Sequence, residues 1–152
     1  MAAAVYSIDE LKGKVGEVLG ESSVHQVSQD QIDRFADATG DHQWIHVDRE
    51  RARSGPFGTT IAHGYLTLSL LPMLLEECLT ISDARMMVNY GLNRLRFPSP
   101  VPVGSGLRMK VALNGAEELD GGVQLLMGFE IGDPSAAKPA AVGEAVLRAY
   151  RR

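Results

Sequence analysis

Beyond Ser82 the chain alternates apolar and polar residues in several stretches that are separated by turn residues. This period of two predicts β-strands with one buried face, because successive side chains of a strand point to opposite faces. Asp120-Gly121-Gly122 and Asp133-Pro134-Ser135 are typical turn sequences, so neighbouring strands are expected to pair antiparallel. The predicted strands are residues 93–97, 107–114, 123–131 and 140–150.

The first half of the chain shows the helical period instead. Ser28 and Gln31 match a capping box at the start of an amphipathic helix, and Gly40 ends that helix because glycine enters the left-handed conformation without steric cost. Residues 63–79 form a nearly all-apolar helix, in which Pro72 removes one hydrogen bond and predicts a bend. Two short helices and an extended segment complete the pattern: residues 7–14, 48–55 and 15–27.

A sheet with one apolar face needs a second layer to cover it, and the apolar helix is the large apolar element available. The chain is therefore predicted to be α+β, with an antiparallel β-sheet around a long central α-helix. Its 152 residues, 45% of them hydrophobic and 22% charged, are typical of a globular domain with a core of its own. We expect one domain over residues 1–152.

Charge and composition limit the classes of binding partner and the cellular location that we expect. The net charge of −4 argues against general nucleic-acid binding, which usually requires a basic surface. Residues 61–79 are too polar and too interrupted for a membrane span, and the N-terminus does not resemble a secretory signal. The single cysteine, Cys78, lies among apolar residues and is interpreted as a buried structural thiol in a reducing compartment. We expect no nucleic-acid or membrane partner and a cytoplasmic location.

The segment that follows Gly40 carries the strongest candidate chemistry. Asp41 and His46 lie five residues apart, and a carboxylate beside an imidazole can exchange protons near neutral pH. Trp44 and Ile45 between them would hold the loop in place and exclude water, which strengthens electrostatic interactions. The residues alone leave a second interpretation open, in which Asp41 caps the next turn and His46 is a satisfied, half-buried polar residue.

Two further residues are candidates for supporting roles. Gly64 begins the apolar helix, where backbone N–H groups without a helical partner attract negative charge, so it is a candidate oxyanion donor. The alternative is that Gly64 allows close packing of the helix against a strand. Asn93 shares a strand face with Leu95 and Phe97 and is expected to point inward, where it either braces the catalytic loop or ties two strands together. The first of these two roles is slightly favoured.

Other polar residues give weaker signals. His25 and His42 are expected on the surface. No metal site is predicted, because the histidines and carboxylates show no known ligand spacing. A glycine-rich phosphate loop and a Gly-x-Ser-x-Gly nucleophile motif do not occur in the sequence.

Three segments resemble the MaoC-like dehydratases, also called the hydratase 2 family. The first runs from Phe35 through Gly40-Asp41-His42-Gln43-Trp44-Ile45-His46 to Ala52, the second is Ile61-Ala62-His63-Gly64, and the third runs from Tyr90 to Pro98. They occur in the family's order, and the resemblance covers about residues 11–150. Gln43-Trp44 stands where many members have Asn-Pro, so the chain departs from the family's loop there but keeps the Asp and the His.

The resemblance implies a hot-dog fold, a homodimer and (R)-specific enoyl-CoA hydratase activity, with water added reversibly to a trans-2-enoyl thioester. It implies no metal or redox cofactor, and coenzyme A is the carrier part of the substrate. On this resemblance Asp41 and His46 hold the water, and the Gly64 N–H receives the negative charge of the thioester oxygen. Apolar helix residues are candidates for an acyl tunnel and arginines for contacts with coenzyme A phosphates: Leu66, Leu70, Arg94 and Arg96.

Two other functions fit the same features. An acyl-CoA thioesterase of the hot-dog fold would use a carboxylate and the same helix start but would not need His46. A non-catalytic acyl-thioester-binding subunit of a heterodimeric dehydratase could lose one member of the pair. The presence of both Asp41 and His46 argues against the subunit.

Overall fold

A computed structural model describes residues 2–152 of the chain. The helices are α1 Ile8–Lys12, α2 Gln29–Thr39, α3 Trp44–Val47, α4 Arg49–Arg53, α5 Gly64–Ser69 and α6 Leu71–Cys78. The strands are β1 Ala4–Tyr6, β2 Val18–Glu21, β3 His25–Gln26, β4 Leu79–Ile81, β5 Ala84–Arg96, β6 Gly106–Leu119, β7 Gly122–Gly132 and β8 Ala141–Arg151.

The large sheet has the strand order β2-β6-β7-β8-β5, and every pairing in it is antiparallel. β3 pairs with β6 beside β2, and β1 and β4 form a separate parallel pair. The predicted strands are confirmed, but β5 starts nine residues before the predicted residue 93. The alternation gave no signal there because residues 85–94 of β5 are exposed on both faces.

The apolar helix packs against one face of this sheet, as expected for a hot-dog fold. Its buried leucines pack with the alternating apolar residues of β6, β7 and β8 in one core cluster. The helix is broken at Leu70, which separates α5 from α6. Pro72, the second residue of α6, has no N–H for the Leu68 carbonyl, so the predicted bend appears as a break between two helical segments.

The helix ends agree with the sequence in most places. Ser7 and Glu10 form a capping box at α1, and Gly40 ends α2 with φ of 82°. Ser28 accepts from the Gln31 N–H at 3.1 Å, but the Gln31 side-chain oxygen Oε1 accepts from His25 Nε2 at 2.9 Å and does not return to the helix cap. The predicted capping box is therefore only half formed, because a neighbouring strand offers Gln31 a different partner.

Cys78 is buried in the core, as predicted. This residue of α6 is 3% exposed, and burial raises the pKa of its thiol to about 11. A protonated, buried thiol is a poor nucleophile, so Cys78 is a packing residue. In residues 2–152 the structure contains no helix that is long and apolar enough to cross a membrane.

Candidate active site

Asp41 lies on the loop between α2 and α3, immediately after the left-handed Gly40. Its side chain is exposed, and one carboxylate oxygen accepts from the Gln43 N–H at 3.3 Å. Its backbone carbonyl accepts a hydrogen bond from His63 Nε2 at 3.0 Å. His63 thus fixes the backbone of this loop, while the Asp41 carboxylate stays accessible to a ligand.

His46 lies in α3 and is only 6% exposed. Its Nδ1 is 2.7 Å from the Ile61 carbonyl oxygen, and a carbonyl only accepts, so Nδ1 carries the hydrogen. Burial is the largest influence on this ring and lowers its pKa below the ordinary value of 6.5; His63 lowers the pKa further, while the Ile61 carbonyl and Asp41 oppose the shift. The ring is therefore neutral in neutral solution, and its Nε2 has a free lone pair.

Gln29 fixes the position of α3. This buried first residue of α2 donates from Nε2 to the His46 carbonyl at 2.8 Å and accepts from the Thr60 hydroxyl through Oε1. One side chain therefore ties α2, α3 and the segment before α5 together. Gln29 was not predicted from the sequence, although a signal existed: it shares the apolar face of α2 with Ile32 and Ala36.

His63 is the second residue that the sequence analysis missed. It caps α5, is 3% exposed, and its ring stacks on His46 with centroids 3.8 Å apart and planes 24° from parallel. The Phe35 ring lies 4.9 Å away on the α2 side. His63 thus supports both members of the pair, by stacking on His46 and by binding the Asp41 carbonyl. Its place beside Gly64 in the sequence was the one available signal.

Asp41, His46 and His63 each offer a ligand atom within 4.8 Å of the others. Zinc binding would need nitrogen lone pairs that converge on one point about 2.0–2.1 Å from each ring. Lone pairs lie in the ring planes, and two stacked rings have planes that meet far from either nitrogen. The arrangement suits proton transfer to a small molecule better than coordination of a cation.

Gly64 is the first residue of α5, so its N–H has no partner within the helix. It lines a cavity of about 360 Å³ together with His46 and Phe97. A Cβ at this position would lie 3.1–3.2 Å from the Phe97 ring, so glycine also allows the close packing that was the alternative explanation. The two explanations are compatible, since the same residue packs against Phe97 and lines the cavity.

Asn93 does not point inward, and it makes no hydrogen bond to the Asp41 loop. It is exposed on β5 and donates to Glu144 of β8 at 2.8 Å, so it ties two strands, which was the less favoured of its two roles. The error came from assuming strict alternation. β5 has an irregular register between Asn93 and Arg96, and Arg94 has a left-handed φ of 53°, so Asn93 and Leu95 do not share a face as a regular strand would require.

The remaining candidates lie away from the pair. Leu66 and Leu70 are core residues and do not line the 360 Å³ cavity. Arg94 lines a different hollow, beside Glu144, and Arg96 donates to the adjacent Leu95 carbonyl. His42 is exposed as expected, with its Nε2 2.8 Å from Asp37, while His25 is half-buried against Gln31.

Comparison with known proteins shows the family. Residues 10–127 match the family model described as MaoC like domain. The chain belongs to this family. It is 49% identical over 143 residues to the Mycobacterium tuberculosis protein named 3-hydroxyacyl-thioester dehydratase Z, an alignment that covers 93% of this chain and 95% of that protein.

Solved structures of MaoC-like proteins show the same fold. The chain matches a MaoC-like dehydratase from Rhodospirillum rubrum with a TM-score of 0.74 and 22% identity, over 91% of this chain and 93% of that one. It matches the R-hydratase PhaJ1 from Pseudomonas aeruginosa with a TM-score of 0.73 and 24% identity, over 96% and 86%. The predicted hot-dog fold is confirmed.

Proposed function

We propose that the protein is an (R)-specific enoyl-CoA hydratase, which adds water reversibly to trans-2-enoyl-CoA and gives (R)-3-hydroxyacyl-CoA. The observation that carries the proposal is the pair itself: a ring nitrogen of His46 lies within 4.8 Å of an Asp41 carboxylate oxygen, and His46 lines a cavity together with Gly64. The ring is neutral, and because its Nδ1 carries the hydrogen, its Nε2 can act as a base. The name of the mycobacterial relative, a 3-hydroxyacyl-thioester dehydratase, describes the reverse of this reaction. Dehydration and hydration share one transition state, so the same site serves both directions.

The water molecule binds between the Asp41 carboxylate and His46 Nε2, both of which accept hydrogen bonds. The His46 lone pair takes one proton from the water while the water oxygen forms a bond to the β-carbon. The electrons of the carbon–carbon double bond move toward the thioester oxygen, and a proton returned by the pair completes the α-carbon. General acid and base groups placed in this way typically accelerate a reaction by about 100- to 10,000-fold.

The negative charge that develops on the thioester oxygen needs a hydrogen-bond donor. The Gly64 N–H is without a helical partner and lies at the cavity, so it is placed to donate to that oxygen. The cavity walls are largely apolar, with Phe57, Phe97 and Val101 among them, and suit the acyl chain. These residues replace Leu66 and Leu70 as the proposed acyl contacts.

The proposed activity is tested with purified protein and crotonyl-CoA, by following the loss of the enoyl-thioester absorbance and by chiral analysis of the product. We expect formation of (R)-3-hydroxybutyryl-CoA. Release of free thiol without hydration would instead identify a thioesterase. If crotonyl-CoA and longer enoyl thioesters all remain unchanged, the proposal fails and a binding subunit becomes the better assignment.

Replacing Gly64 by proline tests the oxyanion role. Proline is accepted at the first position of a helix, and the extended φ and ψ of His63 suit a following proline. The substitution removes the N–H and adds a Cβ against the Phe97 ring. We expect kcat for crotonyl-CoA to fall by about 100- to 1,000-fold. Gly64→Ala is the matched control, because it also crowds Phe97 but keeps the N–H. Equal rates for the two folded variants would remove Gly64 from the mechanism.

We propose a homodimer that buries the edge strand β5. This strand pairs with β8 alone, and five of its apolar side chains are 40–60% exposed: Met86, Met87, Val88, Tyr90 and Leu92. A long apolar edge is unfavourable in water and favours pairing with another chain. Sedimentation equilibrium is expected to give twice the 16.4 kDa chain mass, and a monomer mass at micromolar concentration would contradict the proposal.

A further inference from the structure

One hydroxyl in α5 is buried without a hydrogen-bond partner. Thr67 is 1% exposed, and its Oγ1 is one of two buried side-chain polar atoms in residues 2–152 that lack a partner; the other is His63 Nδ1. A buried hydroxyl without a partner destabilises the fold, because its bonds to water are lost and not replaced. Such a group points to a ligand or to a bound water.

The geometry of the helix does not account for this hydroxyl. Serine and threonine in helices commonly donate to the carbonyl four residues earlier. Ser69 of the same helix does so, with its Oγ 2.7 Å from the Tyr65 oxygen. For Thr67 the corresponding carbonyl belongs to His63, and it accepts from the backbone N–H groups of Leu66 and Thr67 instead. The Thr67 hydroxyl is therefore available to a group outside the helix.

Thr67 belongs to the lining of the proposed active-site cavity. Thr67 lines the 360 Å³ space together with His46 and Gly64. Residues three apart in a helix lie on the same face, and a helical side chain covers the turn that precedes it. Thr67 is thus directed toward the backbone at Gly64, where the thioester oxygen is proposed to bind.

We propose that the Thr67 hydroxyl is a second hydrogen-bond donor to the thioester oxygen of the substrate, beside the Gly64 N–H. This assignment rests on the proposed hydratase function. A carbonyl oxygen has two lone pairs and accepts from two donors. As negative charge develops on it, a donor that is already held in place binds it more strongly than in the ground state, so the contact accelerates the reaction more than it tightens binding.

The test compares Thr67→Val, which removes the hydroxyl at nearly constant volume, with Thr67→Ser, which keeps it. Ser69→Ala is the matched control, because it removes another hydroxyl of α5 that is bonded within the helix. For Thr67→Val we expect kcat with crotonyl-CoA to fall on the order of 100-fold. Binding of the unreactive butyryl-CoA should weaken by at most about 10-fold. Thr67→Ser and Ser69→Ala should retain kcat within about threefold.

The Tm of Thr67→Val is a second measurement. A structural role of the Thr67 hydroxyl would change this Tm in the opposite direction from the one expected here. Removing an unpaired buried hydroxyl should raise the Tm of Thr67→Val by about 2–4 °C. A lower Tm would show that the hydroxyl makes a structural bond, and kcat within about twofold of wild type would show that it does not act on the substrate; either result overturns the assignment. If the wild type hydrates no enoyl thioester, the proposed function fails and the role of Thr67 fails with it.

Discussion

Asp41→Asn is expected to lower the rate of crotonyl-CoA hydration by about 1,000-fold and to leave the fold unchanged. In the proposed mechanism the change removes the carboxylate that, together with His46, orients the attacking water, and acid–base groups contribute about 100- to 10,000-fold. The fold should tolerate the change, because Asp41 is exposed and an asparagine oxygen can still accept from the Gln43 N–H. Loss of the enoyl absorbance measures the rate, and thermal unfolding measures the fold.

Asp37→Asn is the matched control for this result. Asp37 is an exposed carboxylate in the last turn of α2, the helix that precedes the Asp41 loop. Its hydrogen-bond partner is His42, which does not belong to the proposed catalytic pair. This variant should retain wild-type rates. If the two variants have equal hydration rates, Asp41 has no specific role in the mechanism, and any loss of rate reflects only the lower negative charge of the region.

Elements with a strong local signal could be predicted from the sequence. The strands that end in Gly121 and Asp133 turns, the left-handed stop at Gly40 and the break near Pro72 each depend on a few adjacent residues. The proposed pairing of Asp41 with His46 is local in the same sense, since Asp41 lies on the loop before α3 and His46 lies within α3. For these features the period of the pattern and the conformational limits of glycine and proline are sufficient.

Features that depend on tertiary contacts could not be predicted in the same way. His63 joins the site because α5 starts directly below the Asp41 loop, and its own neighbours in the sequence do not indicate stacking on His46. Asn93 was placed on the wrong face because a bulge at Arg94 interrupts the alternation. Gln31 binds His25 because β3 lies beside the helix start. Each case requires the position of a second element that local periodicity does not specify.

The same contacts explain why the site is held in one arrangement. Gln29 binds the His46 carbonyl, Ile61 binds the His46 ring, and His63 binds the Asp41 carbonyl. Three backbone carbonyls near Asp41 and His46 therefore each accept a hydrogen bond from a side chain. These bonds hold the Asp41 loop and α3 in place, and in the proposed mechanism such preorganisation lets the pair position the water without a large rearrangement.

Replacing His46 is expected to cost about 1,000-fold in hydration and to remove the acid limb of the pH profile. Burial lowers the pKa of His46 below 6.5, so the wild-type ring is a neutral base at neutral pH and is protonated only under more acidic conditions. Wild-type kcat/KM should therefore be constant near pH 7 and fall as the pH decreases, with a midpoint below 6.5. His46→Asn should lack this limb.

The choice of replacement separates catalysis from folding. The amide of His46→Asn can still donate to the Ile61 carbonyl, because its nitrogen occupies the place of Nδ1, whereas His46→Gln places its amide near Nε2. Below pH 6.5 the unfolded wild type binds more protons than the folded one, so its free energy of unfolding falls with decreasing pH, and His46→Asn should lose this contribution.

His42→Gln is the matched control, since His42 is an exposed histidine whose bond to Asp37 raises its pKa. It should leave the rate and the acid limb unchanged. An acid limb that persists in His46→Asn, or a midpoint above 6.5 in the wild type, would assign the proton transfer to another group. Thioester cleavage that survives in both His46 variants would favour a thioesterase, in which a carboxylate acts without this histidine.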